Sequence, residues 1–346
     1  MLNLCLSISL IRLVILPKSH KLTLKAAFKM SRFLNHRLTL FVLIMVLLSA
    51  TMQVSAQNQD VQPVQVRIMT FNIWLGGDVV DFGKVVEAIQ AANADIVNLQ
   101  EPNGNTRRIA DALGWQHVSE RMHIISRFPL IDPPGANGLY LFAQIAPGQV
   151  IVVSNIHLPS DPYGPYLVRE GKPLADVLQN EADTRLPVLQ PFLDVLPGLI
   201  KAVYPVLLTS DFNFPSHLDW TEAMVAKAGH ITYAVKWPVT AAILDAGFVD
   251  SYRMIYPDPT KRTGMTWTPG YPMPRMRPNE VVDRIDMIFV GGDVKVIDSQ
   301  IVSEKDGQDV DIGVTPWPSD HRGVVSIVFL KPAVPPLFNH WRSTRF

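Results

Sequence analysis

The chain has 346 residues and carries 31 Lys and Arg against 31 Asp and Glu, so its formal net charge is zero. Its 48% hydrophobic and 18% charged content excludes an intrinsically disordered chain. The length allows one or two domains. The neutral balance argues against a protein that coats nucleic acid through charge alone.

Charge is distributed unevenly along the chain. Residues 1–56 contain seven basic residues and no acid, which leaves 24 basic against 31 acidic residues, a net charge of −7, for the remainder. The apolar run Leu38–Leu48 follows basic residues and precedes small residues that end at Ala56. This order predicts a secretory signal peptide cleaved after Ala56, with translation starting at Met30. We therefore expect a protein exported to the periplasm or the extracellular space, with an uncleaved anchor as the alternative.

Apolar alternation and turn signals define the predicted elements in chain order. We predict a strand at 65–74, a helix at 81–92, a strand at 95–100, a helix at 106–113 and strands at 123–126, 139–145 and 150–157. Prolines then interrupt residues 159–200, which are expected to form a long, partly helical insertion. After it we predict a strand at 206–210, helices at 219–228 and 241–246, and strands at 284–290, 294–302 and 324–330. Asp219 and Glu222 have the spacing of a capping box.

Many short strands interleaved with a few helices predict an α/β protein. We expect two mainly antiparallel β-sheets packed on each other, with helices outside. One domain is placed at 65–331, between a flexible lead-in at 57–64 and a Pro-rich, basic tail at 332–346. We expect a monomer with no membrane span in the mature chain.

Polar side chains interrupt the apolar strands near their ends. The residues in these positions are Asn72, Glu101, Asn155, His157, Asp211, Asn213, Asp286, Asp320 and His321. One such residue alone usually forms a turn or a cap, but one sheet edge could gather the whole set. Carboxylate and amide oxygens suit Mg²⁺, Mn²⁺ or Ca²⁺, and the histidines could act as acid and base. No G-x-S-x-G elbow and no H-E-x-x-H zinc motif is present.

Six motifs in chain order carry a family resemblance: TFNIW, LQE, NIHL, SDFN, RIDMI and SDH. Through them, over about residues 65–331, the sequence resembles the endonuclease/exonuclease/phosphatase family, as an exported, bacterial-type member. The resemblance implies a four-layer α/β-sandwich, the fold of pancreatic deoxyribonuclease. It also implies divalent-metal-dependent cleavage of phosphate esters.

The resemblance implies a metal site built from three of these residues. Glu101 is expected to be the main metal ligand, with Asn72 beside it and Asp320 as a further carboxylate on the metal side. Mg²⁺ is the favoured cation, and Mn²⁺ and Ca²⁺ are alternatives.

The resemblance also implies the catalytic residues. His321 is expected to be the general base or electrostatic partner at the phosphate, oriented by Asp286. Asp211 and Asn213 are expected to hold the phosphate, the attacking water or a second metal. His157 is expected to contact the phosphate and to help the leaving group.

Further substrate contacts are predicted at Asn155, Tyr163 and Trp267. The favoured function is a phosphodiesterase or phosphatase that acts on a small or lipid-derived phosphate ester. A secreted nuclease is a second hypothesis, although the acidic remainder of the chain does not favour nucleic acid as a partner. A non-catalytic binding module on the same fold is the third.

Overall fold

The structure is a computed structural model that describes residues 62–335. The predicted signal segment with its cleavage point after Ala56, most of the predicted lead-in, and the tail beyond residue 335 lie outside the described residues. Within residues 62–335, no helix has both the length and the apolar character needed to cross a membrane.

Two β-sheets form the centre of the protein. Their strands are β1 (Val64–Asn72), β2 (Ile96–Gln100), β3 (His117–Ser119), β4 (Ile124–Ser126), β5 (Leu130–Ile131), β6 (Leu141–Ala146), β7 (Gln149–His157), β8 (Val206–Asp211), β9 (Val249–Asp250), β10 (Asp286–Gly291), β11 (Val294–Glu304), β12 (Ile312–Val314) and β13 (Gly323–Leu330). Sheet A has the strand order β12-β11-β13-β1-β2-β4-β3, and sheet B the order β5-β6-β7-β8-β10-β9. Neighbouring strands are antiparallel except in the pairs β1–β2, β7–β8 and β11–β12. The prediction of mainly antiparallel sheets is confirmed.

Helices connect these strands and cover the sheets. They are α1 (Phe82–Ala91), α2 (Thr106–Leu113), α3 (Gly164–Arg169), α4 (Leu174–Thr184), α5 (Leu186–Lys201), α6 (Glu222–Val225), α7 (Pro238–Asp245) and α8 (Ser251–Ile255). The predicted insertion at 159–200 supplies α3, α4 and most of α5. Helix α5 continues through Pro191 and Pro197, so this segment is more helical than its prolines suggested.

Side-chain alternation along the strands distributes apolar residues among the layers, because successive side chains point to opposite faces of a sheet. In sheet A, Ile68 belongs to the core shared with sheet B, whereas its neighbour Met69 packs with α1 and α2. In sheet B, Leu207 belongs to the shared core and Leu208 to the cluster that includes α4, α5 and α7. The layers are therefore helices, sheet A, sheet B and helices, which confirms the predicted α/β-sandwich.

The faces that the two sheets turn toward each other become polar at one end. Halfway along, the amide Nδ2 of Asn98 in sheet A donates to Thr209 Oγ1 in sheet B at 2.6 Å. Beyond this link, the same alternation places Asn72, Gln100, His157, Asp211 and Asp286 on the inner faces. The alternation of side chains along the strands therefore builds the shared apolar core and also places polar side chains at one end of it.

One predicted helix was largely wrong. Residues 219–228 form a helix only at Glu222–Val225, and its N-cap is Thr221, without a side-chain hydrogen bond. Asp219 does not cap this helix; it forms ion pairs with Arg253 and Arg284. The short strands β3, β5, β9 and β12 had no counterpart in the sequence prediction.

Candidate active site between the sheets

Strand register brings the predicted site residues to one edge of the molecule. Asp211 at the end of β8 pairs with Asp286 at the start of β10 and with His157 at the end of β7. Asn72 at the end of β1 lies beside β2 and makes a side-chain contact with His321, 249 positions away in the chain. Sheet packing, not proximity in sequence, assembles the site.

His321 forms a buried pair with Asp286. Its Nδ1 lies 3.0 Å from Asp286 Oδ2, and its Nε2 lies 3.4 Å from the amide Nδ2 of Asn72. The backbone N–H of His321 donates to Ser319 Oγ (3.0 Å), and its carbonyl accepts a 2.7 Å bond from Trp317 Nε1. With one ring nitrogen and the backbone occupied, the imidazole is fixed with Nε2 toward the polar groups of the site.

Electrostatic surroundings shift the pKa values of these groups strongly. Burial would lower the pKa of His321, but Asp286, Asp211 and Asp320 outweigh it and raise this pKa to about 10. Burial raises the pKa of Asp286, with His321 opposing. Burial would also raise the pKa of Asp211, but the two histidines, His321 and His157, hold it below its ordinary value.

The amide of Asn72 bridges two carboxylates from the two sheets. Its Nδ2 donates to Asp211 Oδ2 at 2.9 Å and to Glu101 Oε1 at 3.2 Å. Its Oδ1 accepts from the backbone of Trp74, and Glu101 Oε2 accepts from the backbone of Leu75. Asn72 is fully buried, so this bridge is fixed from both ends.

Asn213 and His157 form the other side of the site. The amide Nδ2 of Asn213 contacts His157 Nε2 at 3.0 Å and donates to the carbonyl of Leu158 at 2.9 Å. The backbone N–H of Asn213 donates to Asp211 Oδ1 at 2.9 Å. The His157 side chain is 38% exposed, which leaves its ring accessible to a ligand.

Two site residues have left-handed backbone conformations. Glu101 has a φ of 53° directly after β2, and Asn213 has a φ of 52° two residues after β8 ends. Asparagine tolerates this region, whereas glutamate rarely adopts it. Such backbone strain is typical of functional positions, and here it turns the chain where the side chain must enter the site.

The donor set fits a hard divalent cation. Within the described residues, Asp320 Oδ1 and Asp286 Oδ1 are buried without a hydrogen-bond partner, and burial is the main reason why the pKa of Asp320 rises to about 6. Glu101 contributes to that rise, so the two carboxylates are close enough to repel each other. Uncompensated carboxylate oxygens of this kind are suitable cation ligands.

The tightest potential metal-binding cluster among the described residues differs from the predicted one. It consists of Asp211, Asp286 and His321, whose candidate ligand atoms lie within 4.8 Å of one another. This cluster contains the His321–Asp286 pair, so its closeness also follows from that hydrogen bond. The roles of Glu101, Asn72 and Asp320 as metal ligands stay predictions.

The three residues predicted to contact substrate differ in how close they lie to the site and in whether their polar atoms are already hydrogen-bonded. The amide Nδ2 of Asn155 donates to the backbone carbonyls of Leu99 in β2 and of Met122 in the turn before β4, and its Oδ1 accepts from Gln100 at 2.8 Å, so its polar atoms already connect the sheets. The Trp267 ring centroid lies 6.3 Å from that of His321, at the edge of the site. Tyr163 is buried, and its hydroxyl donates to Asp283 at 3.2 Å.

Sequence reasoning missed the residues that hold these side chains in place. Ser319 Oγ donates to the Asn72 carbonyl (2.7 Å) while accepting from His321, and so connects two motifs. Thr266 Oγ1 accepts from the backbone N–H groups of Ile285 and Asp286. Ser319 stands directly before Asp320 and His321, which was a usable signal, whereas nothing in the sequence distinguished Thr266.

Comparison with known proteins places the chain in a family. A sequence profile of the endonuclease/exonuclease/phosphatase family matches residues 69–321. An uncharacterized Caenorhabditis elegans protein, F14F9.5, is 32% identical over 293 residues, which cover 75% of this chain and 90% of that protein.

Two solved structures resemble the chain at low identity. An endonuclease/exonuclease/phosphatase from Beutenbergia cavernae is 16% identical, covers 77% of this chain and 72% of its own, and has a TM-score of 0.47. TDP2 from C. elegans is 14% identical, covers 81% of this chain and 80% of its own, and has a TM-score of 0.44. The profile match over residues 69–321 confirms the predicted family: the chain belongs to the endonuclease/exonuclease/phosphatase family.

Proposed function

We propose that this protein is an exported, divalent-metal-dependent hydrolase of small or lipid-derived phosphate esters. The observation that carries the proposal is the position of the His321–Asp286 pair, which faces the Asn72 bridge between Glu101 and Asp211 at one mouth between the sheets. This arrangement would let one bound phosphate lie next to both a general base and a metal-binding group.

His321 has the geometry of a general base. Because Asp286 occupies Nδ1, Nε2 can take the proton of an attacking water. Asp286 would fix the tautomer and stabilise the imidazolium that forms. Asp211 Oδ2 lies 3.6 Å from Nε2, where a carboxylate would orient that water.

Glu101 and Asp320 would hold the cation, with Asn72 beside them. When bound, the cation would neutralise charge on the phosphate oxygens and on the leaving group; Mg²⁺ is favoured because the donors are oxygens. Asp320 is one of the three carboxylates that raise the pKa of His321 to about 10. Sharing Asp320 with a cation would therefore lower this pKa toward the range in which a general base works.

His157 and Asn213 would bind the phosphate from the other side. The accessible ring of His157 and the amide of Asn213 already contact each other, so one phosphate oxygen could meet both. In this position His157 would also help the leaving group to depart.

Export rests on the basic, apolar and small-residue order of residues 1–56. N-terminal sequencing of protein recovered outside the cytoplasm should read from Gln57. Detection of the full chain only inside the cell would reject this part of the proposal.

A substrate panel tests the chemistry. The purified protein would be assayed on bis(4-nitrophenyl) phosphate, 4-nitrophenyl phosphate, sphingomyelin and plasmid DNA, with Mg²⁺, Mn²⁺, Ca²⁺ or chelator. We expect hydrolysis of a small or lipid phosphate ester, lost with chelator and in Glu101→Gln but retained in Glu120→Gln, a surface control. Activity that resists chelation would exclude the metal mechanism. Cleavage of DNA alone would favour a nuclease, and inactivity on every substrate would favour a binding module.

A further inference from the structure

A small pocket adjoins the proposed site on the side of the 159–200 insertion. Its volume is about 160 Å³, and it is lined by Ser160, Asp161, Tyr163, Tyr166, Asn213, Trp267 and Arg277. We call it the aromatic pocket. Asn213 connects it to the site through its contact with His157, and Trp267 connects it to His321. A group bonded to a phosphate in the site could therefore extend into this pocket.

The aromatic side chains around this pocket are held by acidic residues behind them. The hydroxyls of Tyr166 and Tyr271 both donate to the Glu280 carboxylate, at 2.6 and 3.0 Å, and Tyr163 donates to Asp283. The ring centroids of Tyr163 and Trp267 lie 5.4 Å apart at 80°. Because the hydroxyls are already engaged, these residues present mainly ring surface to a ligand, as an apolar, planar group requires.

The insertion is fastened to the loop that carries Arg277. The guanidinium of Arg169 in α3 lies 4.3 Å from the Tyr166 ring centroid and donates to the backbone carbonyl of Asn279 at 2.8 Å. The Tyr166–Glu280 bond makes a second connection. These contacts pre-organise the pocket before any ligand binds.

Arg277 is the cation at the rim of the pocket. Its guanidinium lies 4.4 Å from the Tyr271 ring centroid, and between residues 62 and 335 it forms no ion pair within 4.0 Å. Asp161 is the other charged side chain in the lining. Arginine stacked on an aromatic ring, with its donors available, suits an anionic group such as a carboxylate or a phosphate.

We propose that the aromatic pocket binds a planar ring carried by the phosphate ester, and that Arg277 selects rings with an anionic substituent. This assignment rests on the proposed function only in placing the phosphate beside Asn213 and His157. It gives the insertion a role as the element that sets substrate specificity.

Non-hydrolysable phosphonates test the pocket separately from catalysis. Affinities of methylphosphonate, benzylphosphonate, 4-carboxybenzylphosphonate and 4-(aminomethyl)benzylphosphonate would be measured by calorimetry on the full chain with Mg²⁺. We expect benzylphosphonate to bind about tenfold more tightly than methylphosphonate. The 4-carboxy compound should bind a further three- to tenfold or so more tightly.

Variants assign each preference to a residue. Arg277→Gln should abolish the advantage of the carboxylate while retaining that of the ring, and Arg275→Gln, on the same loop, should change neither. Asp161→Asn should strengthen binding of the carboxylate, because a like charge is removed. Tyr166→Leu should reduce the preference for the ring.

Equal affinities across the series, or absence of binding by all four compounds, would overturn the proposal. Tighter binding of the aminomethyl compound would assign selection to Asp161 and would likewise overturn it. Ring-dependent binding by a protein that hydrolyses none of the phosphate esters above would uphold the pocket and reject the proposed function.

Discussion

Two clusters of buried charges in this protein are built on opposite principles. The first, the arginine brace, consists of Asp219, Asp250, Arg253 and Arg284, with two acids against two bases. Arg284 donates to both aspartates, at 2.7 to 3.2 Å, and Asp250 also accepts from the backbone at the start of α8. None of these four side chains has an unpartnered buried polar atom.

The second cluster, the cleft cluster, consists of Asp211, Asp286, Asp320 and His321. It has three acids against one base, and Asp286 and Asp320 each retain an unpartnered buried oxygen. Burial raises the pKa values of both of these acids. A balanced cluster with every polar atom paired stabilises the fold, whereas unbalanced and unpaired charges cost stability unless a ligand completes them. This contrast supports a structural role for the arginine brace and a ligand-binding role for the cleft cluster.

The largest expected effect is on catalysis. His321→Ala should lower kcat by roughly 10³-fold, because the base and its bond to Asp286 are both removed. The measurement is hydrolysis of the most active substrate of the panel, with folding checked by circular dichroism. His117→Ala, in β3 and away from the site, is the matched control. Retained activity in His321→Ala would contradict a catalytic role for the cleft cluster.

Two aspartate variants test whether the arginine brace serves stability. Asp219→Ala should lower the free energy of unfolding by about 3–5 kcal/mol, because Arg253 and Arg284 lose a buried partner. Asp320→Asn should leave the stability of the metal-free protein unchanged or raise it by on the order of 1 kcal/mol, because an unpaired buried charge is removed. Urea unfolding at pH 7.5 with chelator measures both. Equal destabilisation by the two substitutions would contradict the distinction between brace and cleft.

The buried Glu181–Arg185 pair is an intermediate case. Its atoms Glu181 Oε1 and Arg185 Nη1 lie 3.1 Å apart, while Glu181 Oε2 has no partner among the described residues. Burial outweighs Arg185 and raises the pKa of Glu181 to about 7 from 4.5. Between pH 4.5 and about 7, Glu181 is therefore protonated in the folded protein and ionised in the unfolded chain. The free energy of unfolding should fall as the pH rises through this range.

The comparison is between wild type and Glu181→Gln, whose free energies of unfolding would be measured at pH 5 and pH 8. Wild type should lose on the order of 2 kcal/mol relative to the variant over this range. A parallel pH dependence in the two proteins would show that Arg185 keeps Glu181 ionised throughout.

A modest effect is expected for stabilisation by the cation. Mg²⁺ at about ten times its dissociation constant should raise the free energy of unfolding by about 1.4 kcal/mol, because it binds only the folded site. Glu101→Gln should weaken this response and Glu120→Gln should not, as read by thermal unfolding across a Mg²⁺ titration. An equal response to Mg²⁺ in both variants would show that Glu101 is not a ligand of the cation.

Sequence signals correctly predicted a helix whose end is fixed by a residue next to it in the chain. The helix Thr106–Leu113 was predicted at its observed boundaries, because Gly114 ends it in the left-handed conformation, with a φ of 72°. The helix expected from Asp219 failed for the opposite reason. Its apparent capping residue is engaged by Arg253 and Arg284, which are 34 and 65 positions away.

Membership of the candidate site was also readable from the sequence, since polar residues at the ends of apolar strands are conspicuous there. Their partners were not readable. The pairing of Asp211 with Asp286 depends on the register of β8 and β10, and the bridge made by Asn72 depends on how the two sheets face each other.

The sequence by itself determined most of the strands, the family and the set of polar residues, because periodicity and motif order can be read along the chain. The tertiary structure decided which carboxylates are paired, which oxygens are left without partners and how far each pKa moves. Those properties depend on burial and on distances between side chains from separate strands, which only the packed sheets fix.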